Sequence, residues 1–98
     1  MFRIHVMVSG DVQGVWFRIS TQDKANKLGL TGWVKNLFSN AVEIVAEGDM
    51  DNLALLAGWL QDGPPNARVD KISIEWEEQE ESEFSSFEIH RWKLHYAR

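Results

Sequence analysis

Apolar and polar residues alternate at the start of the chain, with Phe2, Ile4, Val6 and Val8 on one side of an extended segment and Arg3, His5 and Met7 on the other. This period of two predicts a strand over residues 2–8, and Gly10 is expected to break it. From Phe17 to Leu28 there is no Gly or Pro. Gln22, Lys24, Ala25, Lys27 and Leu28 favour a helix there, which Gly29 stops. Trp33 to Phe38 and Ala41 to Glu47 are two short runs rich in aromatic or branched residues. Ser39-Asn40 separates them, and because Asn tolerates positive φ the arrangement predicts a hairpin. After Gly48 the period lengthens, with Leu53, Leu56, Ala57 and Leu60 at i, i+3, i+4 and i+7. Asp49 or Asp51 is available to cap this second helix, and Gly63-Pro64-Pro65 ends it. Ile72, Ile74 and Trp76 alternate with Lys71, Ser73 and Glu75 in a fourth strand. Phe84 to Ile89 predicts a fifth, expected to pair antiparallel with the fourth. His90 to Arg98, carrying Trp92, Leu94 and Tyr96, reads either as an extension of that strand or as a tail packed on the domain or a neighbour.

Strand, helix, strand, strand, helix, strand and one extra strand is the split βαβ order of an α+β fold, the ferredoxin-like α/β sandwich. Both helices then cover one face of a mixed, mainly antiparallel sheet, and the other face stays partly open. Right-handed crossovers put the first and third strands side by side at the sheet centre. Composition narrows the class. With 98 residues, 44% of them hydrophobic, and no linker or repeat, a single domain over residues 1–98 is expected. The absence of cysteine removes disulfides, thiolate chemistry and the usual zinc sites, and makes the cytoplasm the expected compartment. No apolar run approaches the ~20 residues of a membrane span, so a soluble, unprocessed chain with no membrane partner is expected. Ten Lys and Arg against fifteen Asp and Glu leave a net charge of −5, the wrong sign for gripping a nucleic-acid backbone. The acidic stretch Glu75, Glu77, Glu78, Glu80, Glu81 and Glu83 reads as a solvated strand end and loop.

Chemistry concentrates where the first strand meets the first helix, in Val8-Ser9-Gly10-Asp11-Val12-Gln13-Gly14-Val15-Trp16-Phe17-Arg18. Two glycines permit the backbone turns that converge main-chain N–H groups on an anion, and a helix start adds unpaired donors and a positive dipole end. Arg18 in the first helical turn opposes that dipole unless an anion joins it. An ordinary surface ion pair is the alternative for Arg18. No Gly-Lys-Ser/Thr closes the loop, so a nucleotide P-loop is unsupported. Asn36, in Gly32-Trp33-Val34-Lys35-Asn36, reads by itself as a turn residue. Brought opposite the cradle, its carboxamide would instead orient a water. His5, His90 and His95 lack ligand spacing and read as surface or strand residues. Trp16 either walls the site or is a loop aromatic.

Val8-x-Gly10-x-Val12-Gln13-Gly14-Val15-x-Phe17-Arg18 resembles the first signature of the acylphosphatase family, and Gly32-Trp33-Val34-Lys35-Asn36 with Val42 and Gly48 resembles the second. The resemblance covers nearly the whole chain. Asn40 departs from it, standing where the family usually has Gly, but Asn visits the left-handed region readily enough to keep the hairpin. The segment beyond Ile89 departs as well. The resemblance implies hydrolysis of the carboxyl-phosphate bond of acyl phosphates, giving carboxylate and inorganic phosphate. It implies that Arg18 and the amides of Gln13, Gly14, Val15, Trp16 and Phe17 bind the phosphoryl group while Asn36 positions the attacking water. It further implies no metal or organic cofactor. Phosphate or sulfate is the expected bound anion and a monomer the expected state, although the segment beyond Ile89 leaves the oligomeric state open. A non-catalytic anion-binding module and an RNA-binding domain of the same architecture are the alternatives.

Overall fold

The computed structural model describes residues 1–38 and 40–90, so Ser39 of the hairpin turn and the segment from Arg91 to Arg98 lie outside the described residues. The elements are β1 (Phe2–Asp11), α1 (Phe17–Lys27), β2 (Thr31–Leu37), β3 (Ala41–Gly48), α2 (Met50–Leu60), β4 (Arg68–Glu78) and β5 (Phe87–His90). The strands form one sheet in the order β4-β1-β3-β2-β5. This is the expected ferredoxin-like arrangement, with β1 beside β3 and both helices on one face.

The core follows from the two periods read in the sequence. Ile4, Val6 and Val8 of β1 alternate inward and pack with Val42, Ile44 and Ala46 of β3 and Val34 of β2. The helices meet them with Phe17, Thr21 and Ala25 at a spacing of four in α1, and with Leu53, Leu56, Ala57 and Leu60 in α2. Each fully buried large aliphatic side chain contributes ~1.5–3 kcal/mol relative to an exposed one. Asn40 takes the left-handed conformation (φ 56°), so the hairpin keeps its turn without glycine.

Two expectations are corrected. Gly10 does not end β1. The strand runs on to Asp11, and its register against β4 shifts between Ser9 and Gly10. At Gly10 (φ 132°) β4 comes so close that a Cβ would lie 2.3 Å from the Arg68 carbonyl oxygen, so the glycine accommodates a bulge and the strand survives. Nor do the fourth and fifth strands pair. β4 lies against β1, and β5 joins the far edge, parallel to β2 with Gly32 opposite Phe87. The eight residues 79–86 that join them reach at most ~27 Å, ample for the ~19 Å across four strand spacings. β5 begins at Phe87, later than the predicted Phe84, because the preceding residues complete this crossing.

An ionic cluster ties the crossing down. Glu47 at the end of β3 is only 1% exposed, and its carboxylate accepts from Arg3 (2.7 Å), the Glu83 N–H (2.9 Å) and the Ser82 hydroxyl (3.1 Å). Arg3 also pairs with Glu83. The acidic stretch is therefore partly structural rather than wholly solvated. Burial pushes the Glu47 carboxyl up, but the Arg3, Glu83 and Ser82 hydrogen bonds and the Arg3 charge outweigh it and hold it below its ordinary value of 4.5. Protonation is thus harder folded than unfolded, so this stabilisation is complete above about pH 4.5 and lost as pH falls through the lower folded value. Glu47→Gln is expected to lose ~1–3 kcal/mol at pH 7 by urea denaturation. The gap to wild type should shrink on acidification below pH 4.5. A gap that does not change with pH would contradict this account.

Candidate active site

Beyond Asp11 the chain sinks Val12 into the core and then takes left-handed conformations at Gly14 (φ 75°) and Trp16 (φ 65°) before α1 begins. Such a tight coil is the conformation in which successive main-chain N–H groups converge. The helix start satisfies none of them. Its first hydrogen bond is Ser20 N–H to the Trp16 carbonyl at 2.9 Å, Trp16 supplies no side-chain cap, and the first turn holds no acid. Among the described residues the N–H groups of residues 14–19 have no protein acceptor. Half-buried Arg18 adds its charge here and makes no hydrogen bond or ion pair among the described residues.

Asn36 reaches this place through the sheet. Val42 of β3 is the register partner of both Val8 in β1 and Asn36 in β2, so the three form one row across the sheet. Val8 therefore lies two strand spacings, ~10 Å, from Asn36, and the cradle starts four residues beyond Val8 at the same end of the sheet. Asn36 is a paired strand residue, which excludes the turn role that its type suggests. Its Oδ1 is buried and has no hydrogen-bond partner.

Gly14, Trp16, Phe17, Arg18 and Asn36 line one pocket of about 340 Å³, with Val12 and Ile19 completing the walls. Val12 and Phe17 are buried, whereas Trp16 is 69% and Ile19 50% exposed, so these last two form the mouth. Two residues of the predicted loop do not line the pocket. Val15 packs against the core, and the Gln13 side chain turns to the hairpin, donating to the carbonyls of Leu37 (2.6 Å) and Ala41 (2.9 Å). The Val12 and Ile19 walls were missed. Ile19, an apolar residue directly after Arg18 at an exposed helix start, was a usable signal for the mouth, whereas nothing in the sequence marked the partners of Gln13. His5 hydrogen-bonds Glu43 and His90 stacks on Trp33, both away from the pocket, and His95 lies outside the described residues.

Residues 4–89 match the acylphosphatase family profile. The chain belongs to the acylphosphatase family. It is 48% identical over 91 residues to the acylphosphatase of Methylococcus capsulatus, covering 93% of this chain and 98% of that one. To the acylphosphatase of Coxiella burnetii it is 50% identical over 86 residues, 88% of each chain. The crystal structure of acylphosphatase from Bacillus subtilis superposes with a TM-score of 0.86 at 36% identity, covering 92% of this chain and 99% of that one.

In this acylphosphatase-family site a large side chain occupies a left-handed residue, which costs a non-glycine ~1–2 kcal/mol. Comparing Trp16→Gly with Trp16→Ala removes the ring in both and isolates that backbone strain. Glycine's greater freedom when unfolded offsets part of it, so the Gly variant is expected to be more stable by ~0.5–1 kcal/mol in urea denaturation. Equal stability, or a more stable Ala variant, would remove the strain from the account.

Proposed function

We propose that this acylphosphatase holds the phosphoryl group of its substrate between the Arg18 guanidinium and the main-chain N–H groups of Gln13, Gly14, Val15, Trp16 and Phe17, while Asn36 positions the attacking water. An acyl phosphate is a mixed anhydride with a good leaving group, so catalysis reduces to gripping phosphoryl oxygens, spreading their charge and aiming the nucleophile. The water oxygen bonds to phosphorus, the bond from phosphorus to the carboxyl oxygen breaks, and the carboxylate leaves with the electron pair. The water's proton passes to a phosphoryl oxygen, giving inorganic phosphate without a protein base. No step is assigned to a metal or an organic cofactor.

The observation that carries this reading is a set of polar groups around one pocket that have no partner among the described residues: a guanidinium and helix-start donors without acceptors, and a carboxamide oxygen without a donor. Donors suit the anion, and the free acceptor suits a water proton. The acyl group, excluded from the floor by buried Val12 and Phe17, lies at the mouth against Trp16 and Ile19. Inorganic phosphate or sulfate fits the same cradle. Residues 1–98 are read as one cytoplasmic, monomeric domain that uses neither nucleic acid nor membrane. Among the described residues no helix is long and apolar enough to cross a membrane.

Purified protein without added metal is expected to hydrolyse benzoyl phosphate. Arg18→Ala and Asn36→Ala, each folded by circular dichroism, should lose at least ~10²-fold in kcat/KM, the scale set by removing one transition-state donor. Wild-type turnover by Arg18→Ala would refute the site assignment. Thermal protection by phosphate without any hydrolysis would instead make the chain a non-catalytic anion-binding module.

A further inference from the structure

The cradle belongs to the β1–α1 junction and Asn36 belongs to β2, with most of α1 and the turn into β2 between them in the chain. A water aimed at a phosphoryl group needs these two parts fixed to a fraction of an ångström, since a misplacement of ~1 Å costs ~10²-fold in rate. We infer that the side-chain carboxamide of Gln13 is the clamp that sets this distance, a positioning role separate from the main-chain N–H of the same residue. The inference rests on Asn36 as the water-positioning group.

Gln13 Nε2 has two protons, and both are used: one on the Leu37 carbonyl at 2.6 Å, the other on the Ala41 carbonyl at 2.9 Å. Leu37 and Ala41 face each other as the last register pair before the hairpin turn, so one amide grips both strands at once. Leu37 directly follows Asn36. Among the described residues no other side chain of residues 12–16 makes a hydrogen bond. The Gly10 N–H to Asn40 carbonyl bond (3.2 Å) ties the hairpin to β1, upstream of the cradle, so the cradle loop itself depends on Gln13. The chemistry required is narrow. Two carbonyl oxygens need two donors at the end of a side chain of this length; Leu fills the space without donors, and an ionised Glu would turn like partial charges on both carbonyls.

The test is steady-state kinetics on benzoyl phosphate with inorganic phosphate as competitive inhibitor. Gln13→Leu is expected to lower kcat ~10–100-fold while KM and the phosphate inhibition constant move less than ~3-fold, because the cradle persists and only its offset from Asn36 is released. Gln13→Glu should recover activity relative to wild type as pH falls and the carboxylic acid regains one donor, a profile that Gln13→Leu lacks. Combining Gln13→Leu with Asn36→Ala should cost little beyond Asn36→Ala alone, as for two residues acting through one water. Wild-type kcat in Gln13→Leu overturns the clamp, as does a loss of phosphate affinity equal to the loss of kcat. Should Gln13→Leu fail to fold, the pH response of Gln13→Glu decides, and a flat response overturns the inference. Wild-type kcat in Asn36→Ala would instead overturn the water assignment beneath it.

Discussion

A guanidinium and the uncapped start of a helix share one small pocket with no acid among the described residues that line it, and the packing around it holds that imbalance in place. A helix start without a cap, without an acid in its first turn and with an arginine there is unfavourable by itself. It persists because neighbouring packing over-determines it. The Phe17 ring is buried and meets Trp59 at 6.1 Å, Val12 anchors the preceding loop in the core, and Gln13 binds that loop to the hairpin. The polar groups that the fold leaves unmatched here are the ones the proposed function assigns to an anion and a water.

Sheet topology explains why the two halves of the site meet. β1 and β2 both run antiparallel to β3, which lies between them, so they point the same way and their C-terminal ends emerge together. Open α/β arrangements place ligands outside such ends for this reason. The opposite end of the sheet carries no such imbalance. There Arg3 and buried Glu47 are matched by Ser82 and Glu83, and the acidic segment crosses the sheet to deliver β5 beside β2. One end is electrostatically closed, the other electrostatically open.

Much of this was legible in the chain. The alternation of Phe2 to Val8, the helical spacing of Leu53 to Leu60 and the turn chemistry at Asn40 report local preferences that survive in the folded state. A left-handed loop position at Gly14 and a charge at the head of α1 were legible because glycine conformation and charge are properties of the residues themselves. Less legible were features whose partners are remote. Gly10 looked like a strand end, but it is a bulge forced by the close passage of the Arg68 carbonyl. β5 looked like the partner of β4, its neighbour in sequence, yet it pairs with β2.

The sequence by itself determined the elements, the face that each buries, and which residues carry charge or donors at the head of α1, because periodicity and side-chain chemistry are written residue by residue. Tertiary structure alone decided that Asn36 and Arg18 line one pocket, that Ile19 and Trp16 stand exposed at its mouth, and that Gln13 spends its amide on the hairpin. The physical reason is the nature of the partners. Main-chain carbonyls and strand registers are chemically alike at every position, so no residue pattern names which of them a distant side chain will meet.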